Sequence, residues 1–265
     1  MIDDLELPVA MSVAGSDSGA GAGIQADLLT FAALGVYGTT AITCLTAQSP
    51  DGVAGVQAAT PEFVAAQLSQ LALYFNIRAM KTGMLYNEGI TRVVCDFMRA
   101  HRDIQAVVDP VMVATSGAVL LHDDALVSIR GDLMPLAALV TPNLYEVAVI
   151  LGNRPECVED MIDAARMINA MTGTAVLLKG GHLDTPDTVT DVLFTIDGNV
   201  LELTDDRLPG LNTHGSGCTL SAAIAASLAK GYRIEESVIL ARRYLHEGMR
   251  KAIRIGTERF IAHLG

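Results

Sequence analysis

Along the chain, short apolar and β-branched runs alternate with longer stretches whose apolar residues recur at helical spacing. Strand-like runs lie at residues 9–14, 39–45, 79–82, 106–109, 138–141 and 175–179. Helix-like stretches lie at 24–34, 61–74, 88–99, 123–133, 144–151, 157–171, 216–230 and 234–255. The alternation predicts βαβ units around a mostly parallel sheet, because strands buried on both faces read as apolar runs and each crossover needs a helix. Pro61 after Thr60 marks a helix start, and Gly231 after Lys230 a helix end. One passage differs: residues 189–196 and 200–204 flank Asp197-Gly198, which predicts an antiparallel hairpin at the sheet's edge. No repeat, linker or low-complexity tract interrupts the pattern, so residues 1–265 read as one domain.

Composition narrows the function classes. Of 265 residues, 51% are hydrophobic and 18% charged, which is sufficient for a large core and incompatible with a disordered chain. Lys and Arg number 18 against 30 Asp and Glu, a net charge of -12 with no basic cluster, so bulk nucleic-acid binding is excluded. Two uncharged stretches, 28–50 and 208–229, approach the roughly 20 residues of a spanning helix. Gly35 and Gly38 interrupt the first, and Pro209, Gly210, Asn212, Thr213 and His214 open the second, so both read as buried helix-to-strand steps and no membrane partner is expected. Cys44, Cys95, Cys157 and Cys218 lie far apart without a CxxC, behind an acidic N-terminus. Free thiols in a reducing cytoplasm are the expectation.

Candidate chemistry collects where strands end, the usual place for sites in α/β sheets. In Ala14-Gly15-Ser16-Asp17-Ser18-Gly19-Ala20-Gly21-Ala22-Gly23-Ile24-Gln25-Ala26-Asp27, glycines join a strand to a helix. Ile24 stands where a dinucleotide fingerprint needs glycine, and no Gly-Lys-Ser/Thr follows to make a P-loop. The glycines permit close approach of a ligand, or simply a tight connection. Asp27 would accept hydrogen bonds from a ligand or complement the helix dipole.

Asn212-Thr213-His214-Gly215-Ser216-Gly217-Cys218-Thr219-Leu220 is a small-residue loop feeding a helix N-terminus. Amides of Gly215, Ser216, Gly217 and Cys218 there can converge on an anion such as a transferring phosphoryl group. Cys218, at the helix start, is expected to have a lowered thiol pKa; an ordinary buried cysteine is the equal alternative.

Three further strand ends carry Asp109-Pro110-Val111-Met112, Thr141-Pro142-Asn143-Leu144-Tyr145-Glu146 and Lys179-Gly180-Gly181-His182. Asp109, Asn143 and Glu146 are oxygen donors suited to hydrated Mg²⁺, and Lys179 suits nucleotide phosphates. The competing readings are a turn aspartate, an Asn helix cap with a first-turn Glu, and a solvated lysine. His182 and His214 read as loop histidines, and no His pair has zinc-ligand spacing. These features alone predict a phosphate-handling α/β enzyme.

Taken in order, with Thr46-Ala47-Gln48 and Lys81-Thr82-Gly83-Met84-Leu85 added, the same motifs resemble those of the bacterial hydroxymethylpyrimidine and hydroxymethylpyrimidine phosphate kinases of the ribokinase-like superfamily. The likeness runs from about Val9 to the last long helix. It implies a three-layer α/β/α fold, a homodimer, and transfer of the ATP γ-phosphoryl group to the pyrimidine's hydroxymethyl oxygen and then to the monophosphate, for thiamine biosynthesis.

By the same resemblance Gly23, Asp27, Gln48, Met84 and Val111 line the pyrimidine pocket, with Asp27 and Gln48 reading its polar edge. Gly215, Ser216, Gly217 and Cys218 form the anion hole, and Cys218 faces the acceptor hydroxyl as a hypothetical base where most sugar kinases have Asp. Lys179 and Thr213 hold ATP, and Asp109, Asn143 and Glu146 organise Mg²⁺. Departures from relatives are Tyr145 for Pro, Leu29 for Lys and Ala118 for Asp, which touch the surface and a flap around residues 114–121. The alternatives are a pyridoxal or pyridoxine kinase of the same fold and a non-catalytic ligand sensor. Thr46-Ala47-Gln48 and Met84 favour the pyrimidine, while the intact glycine loop, Lys179 and Asp109 oppose the sensor.

Overall fold

The computed structural model describes residues 6–112, 123–210 and 213–263. The flap at 114–121, Ala118 and Asn212 lie outside them. Six strands run parallel: β1 (Val9–Asp17), β2 (Tyr37–Ser49), β4 (Ile77–Thr82), β5 (Gln105–Val108), β6 (Leu139–Val140) and β7 (Ala175–Leu178). Antiparallel strands extend both edges: β3 (Gly52–Ala58) on β2, and β8 (Thr188–Phe194) with β9 (Val200–Asp206) beyond β7. The sheet order is β3-β2-β1-β4-β5-β6-β7-β8-β9.

Strand alternation divides the core between two faces. Ala10, Ala79, Val107, Leu139, Ala175 and Leu177 point to one side, under α1 (Gly23–Ala33), α7 (Ser216–Ala229) and α8 (Ile234–Arg250). Met11, Val13, Met80, Val108, Val140, Val176 and Leu178 point to the other. There they meet α2 (Pro61–Tyr74), α3 (Glu88–Ala100), α5 (Leu144–Leu151) and α6 (Val158–Thr172). In α7 every residue from Thr219 to Ala229 is buried. Its alanines and serines let it lie close to the sheet and beneath α8, so its N-terminus is held against the carboxyl ends of the strands. Among the described residues, no helix is long and apolar enough to cross a membrane.

The predicted hairpin is present as β8 and β9, but it is not the sheet's sole antiparallel edge. β3 pairs with β2 through the turn at Pro50 and Asp51, a signal as local as Asp197-Gly198. The last predicted helix also stops early. α8 ends at Arg250, and Ile253–Ile255 (β10) pairs antiparallel with Glu258–Phe260 (β11), because Gly256 turns the chain at a φ of 64°. The predicted helix over 123–133 divides into α4 (Asp123–Ser128) and a π-helical turn at Ile129–Leu133, followed by a 3₁₀ turn that carries Pro135.

A buried ion cluster ties α8 to the hairpin. Arg242 donates to Asp191 and to Asp205, each at 2.5 Å, and Asp191 also accepts the Gly180 amide at 2.8 Å, one residue beyond Lys179. Removing one partner of such a cluster leaves uncompensated buried charge. Arg242→Met should therefore lower the unfolding free energy by about 3 kcal/mol in urea titrations. An unchanged midpoint and slope would show that the cluster contributes nothing to stability.

Candidate active site

Two glycine-rich loops meet above the carboxyl ends of the parallel strands. Gly23 opens α1 at a φ of 60°, and Gly215 precedes α7 at 81°. A Cβ at Gly23 would strike the Gly15 carbonyl, and one at Gly215 would strike the Gly21 carbonyl. Both conformations and both contacts therefore require glycine. The result brings Cys218 across to α1, beside the Gly23 amide. Ser216 donates its amide to the Thr213 carbonyl at 3.0 Å. Among the described residues, that leaves Gly217 and Cys218 as helix-end donors for which no main-chain acceptor is found. Thr213 itself is exposed at the loop's start.

Buried lysine–aspartate pairs stand on either side of this helix end. Lys81 of β4 bonds both oxygens of Asp27 at 2.9 Å, Ser12 of β1 bonds Asp27 at 2.5 Å, and neither charged side chain reaches solvent. Asp27 lies one turn into α1, too far for a first-turn dipole role, and its carboxylate is fully engaged. On the other side Lys179 bonds Asp109 at 2.8 Å. Asp109 also meets Thr141 at 3.2 Å and Ser221 of α7 at 3.3 Å. Lys179 is thus an ion-paired, largely covered side chain, which removes the solvated-lysine reading.

Cys218 feels both pairs. Its side chain keeps some accessible surface, yet burial pushes its thiol up. Asp27 and Asp109 add to that rise, against the Lys81 ammonium and the Gly23 amide. The expected lowering at a helix N-terminus is overturned, because desolvation exceeds what the helix end and one ammonium supply.

Asn143 caps α5: its Oδ1 accepts the amides of Tyr145 at 2.9 Å and Glu146 at 3.0 Å, while Glu146 returns a bond from the Asn143 amide at 2.7 Å. This is a capping box, the structural alternative weighed for both residues. Burial pushes Glu146 up to about 7, with Lys179 opposing and Asp109 reinforcing the rise. Among the described residues, no group of three His, Cys, Asp or Glu side chains is arranged to hold a metal ion.

On the β1–β2 side, Met84 sets its sulfur against Gly15 beside Cys44, and its carbonyl accepts from Thr43 at 2.6 Å. Val111, half-buried, donates its amide to the Asp109 carbonyl at 2.8 Å. Gln48 lies 3.1 Å from His214 Nε2, which is also 3.2 Å from Asp17 Oδ2. The fold thus brings Gly23, Gln48 and Met84 to one flank of the α7 N-terminus and Lys179, Asp109 and Glu146 to the other.

Known proteins resemble this chain over nearly its whole length. A sequence profile described as phosphomethylpyrimidine kinase matches residues 17–263. The chain belongs to the phosphomethylpyrimidine kinase family. A hydroxymethylpyrimidine/phosphomethylpyrimidine kinase of Rhizobium meliloti is 46% identical over 251 residues, covering 93% of this chain and 92% of that protein. A thiamine biosynthesis bifunctional protein of Geobacter sulfurreducens is 42% identical over 247 residues, covering 93% of this chain and 50% of that protein. Among solved structures, an ADP complex of Bacillus subtilis pyridoxal kinase superposes with a TM-score of 0.89 at 32% identity, covering 97% of this chain and 98% of that one.

Residue-by-residue reading of the sequence passed over several of these partners. Lys81 and Ser12 sit inside apolar strands, where a polar residue signals a buried partner. Asp17 and His214 gave no signal, because the contact between them joins positions 197 residues apart.

The Glu146 environment has a pH signature. A carboxyl raised in the folded state holds its proton where the unfolded chain has lost it, so its contribution to stability falls as pH rises from the ordinary glutamate range through about 7. Glu146→Gln removes that loss. In urea titrations from pH 5 to pH 8, the variant should gain on the parent by about 1–3 kcal/mol as pH rises. A constant difference would sink this account of Glu146.

Proposed function

We propose that the protein catalyses ATP-dependent phosphorylation of 4-amino-5-hydroxymethyl-2-methylpyrimidine and then of its monophosphate, giving the diphosphate for thiamine biosynthesis. The observation that carries this reading is the α7 N-terminus set between Lys179 with Asp109 on one flank and Gln48 with Met84 on the other. An anion hole between a phosphate-binding flank and a ring-binding flank suits in-line phosphoryl transfer.

In the first round the bond from Pγ to the bridging oxygen of ATP breaks, a bond to the hydroxymethyl oxygen forms, ADP leaves and the hydroxyl proton is released. The second round repeats the transfer on a phosphate oxygen of the monophosphate. Gly217 and Cys218 amides receive the transferring group, and Lys179 and Thr213 hold the ATP phosphates. Cys218 sits beside the acceptor hydroxyl. With its thiol raised, it acts by position and hydrogen bonding more than as a thiolate, which a loose transition state permits.

Asp109 and Glu146, two carboxylates beside Lys179, suit hydrated Mg²⁺; the Asn143 oxygen and one Glu146 oxygen are engaged in the α5 capping box. When bound, the ion supplies charge neutralisation on the ATP phosphates. Gly23, Gln48, Met84 and Val111 surround the pyrimidine ring, and Asp27 supports them through Lys81 and Ser12. The reading also includes a homodimer in the cytoplasm. A pyridoxal or pyridoxine kinase is the second reading, favoured by the fold likeness to the Bacillus subtilis pyridoxal kinase.

Mass spectrometry after incubation with Mg-ATP and hydroxymethylpyrimidine, its monophosphate, pyridoxal, pyridoxine or ribose separates the two. Mono- and diphosphorylated pyrimidine are the expected products; preferential phosphorylation of pyridoxal or pyridoxine would overturn the assignment. Among folded variants, Lys179→Ala should raise KM for ATP about tenfold or more, and Gln48→Ala should raise KM for the pyrimidine by a similar factor with KM for ATP unchanged. Cys218→Ala should lower kcat much more than ATP affinity, and an unchanged kcat would remove Cys218 from the mechanism.

A further inference from the structure

The contacts of His214 Nε2 bear on which end of the Gln48 amide faces it. Asp17 Oδ1 accepts the Gly19 amide at 2.8 Å, and Oδ2 accepts the Ala22 amide at 2.9 Å. Although burial opposes it, the bonds from His214, Gly19 and Ala22 hold the Asp17 carboxyl below its usual range. It therefore presents lone pairs alone, and His214 Nε2, at 3.2 Å from Oδ2, must carry a hydrogen. This holds whether the imidazole is neutral or cationic.

In the structure the same Nε2 lies 3.1 Å from Gln48 Nε2, and Gln48 Oε1 lies 3.2 Å from Thr46 Oγ1. A nitrogen that carries hydrogen cannot accept from an NH₂ group, so the amide is turned end for end, with its oxygen facing His214 and sharing the Nε2 hydrogen with Asp17. Thr46 agrees. Its hydroxyl donates to the Ser16 carbonyl at 2.9 Å, which leaves its oxygen to accept from the Gln48 NH₂. Turned this way, the amide leaves one Gln48 N–H to give.

We infer that Asp17 and His214 are specificity-determining positioning residues: they lock Gln48 so that it offers the bound ring a hydrogen-bond donor. The site then selects heterocycles that present an unprotonated ring nitrogen at that position and disfavours those that present C–H, N–H or an amino group there. The inference deepens the proposed function and rests on its reading of Gln48 as a ring-binding residue. Neither Asp17 nor His214 needs to touch the substrate.

The first test is independent of activity. In ¹⁵N NMR of the full-length wild-type protein at pH 7 to 8, His214 should show a protonated Nε2; an unprotonated Nε2 would overturn the inference. The second test compares kcat/KM for hydroxymethylpyrimidine with that for two analogues, each with one ring nitrogen replaced by CH. Wild-type protein should discriminate against one analogue by about tenfold or more, and His214→Phe should reduce that ratio to about threefold or less with KM for ATP unchanged. Retention of the wild-type ratio in folded His214→Phe would overturn the inference, whereas no effect of Gln48→Ala on either acceptor would overturn the underlying reading of Gln48.

Discussion

Burial of two lysine ammonium groups at the carboxyl edge of an apolar sheet governs how this molecule is assembled. A cation removed from water is tolerated there only with a counter-charge and its donors satisfied. Lys81 reaches across from β4 to Asp27 of α1, with Ser12 of β1 as third member. Lys179 reaches from the end of β7 to Asp109 after β5, with Thr141 beyond β6 and Ser221 of α7 completing the set. The two pairs therefore register β1, β4, β5, β6 and β7 against α1 and α7. The loops that carry the chemistry inherit that register.

The same pairs set the electrostatics at the α7 N-terminus. They place two cations and two anions around Cys218, so the local charge nearly cancels and desolvation decides the direction of the thiol's shift. Glu146 obeys the same logic. A buried carboxyl beside Asp109 is disfavoured as an anion even with Lys179 nearby.

Farther from the reacting atoms, other contacts keep the loops in place. Asp191 holds the Gly180 amide beside Lys179 and is itself held by Arg242 of α8. At the C-terminal end, Phe260 of β11 and His214 both lie against Gly21, so the small hairpin braces the glycine loop of α1. Asp17 closes that loop from within by accepting two of its amides.

Much of this was legible in the amino-acid sequence. Apolar runs alternating with helical spacing determine an α/β sheet, Asp197-Gly198 determines its edge hairpin, and Gly23 and Gly215 permit the positive-φ turns that lead into two helices. These are local signals, carried by propensity and periodicity over a few residues. The second edge strand and the C-terminal hairpin were locally signalled too, by Pro50-Asp51-Gly52 and Gly256, but helical spacing in the neighbouring residues masked the latter. Only the tertiary structure decided that Asp27 is neutralised by Lys81, that Cys218 is raised rather than lowered, and that His214 faces Asp17 and Gln48. Each depends on which distant groups share a desolvated space, and burial and pairing are properties of the packed chain, not of any one segment.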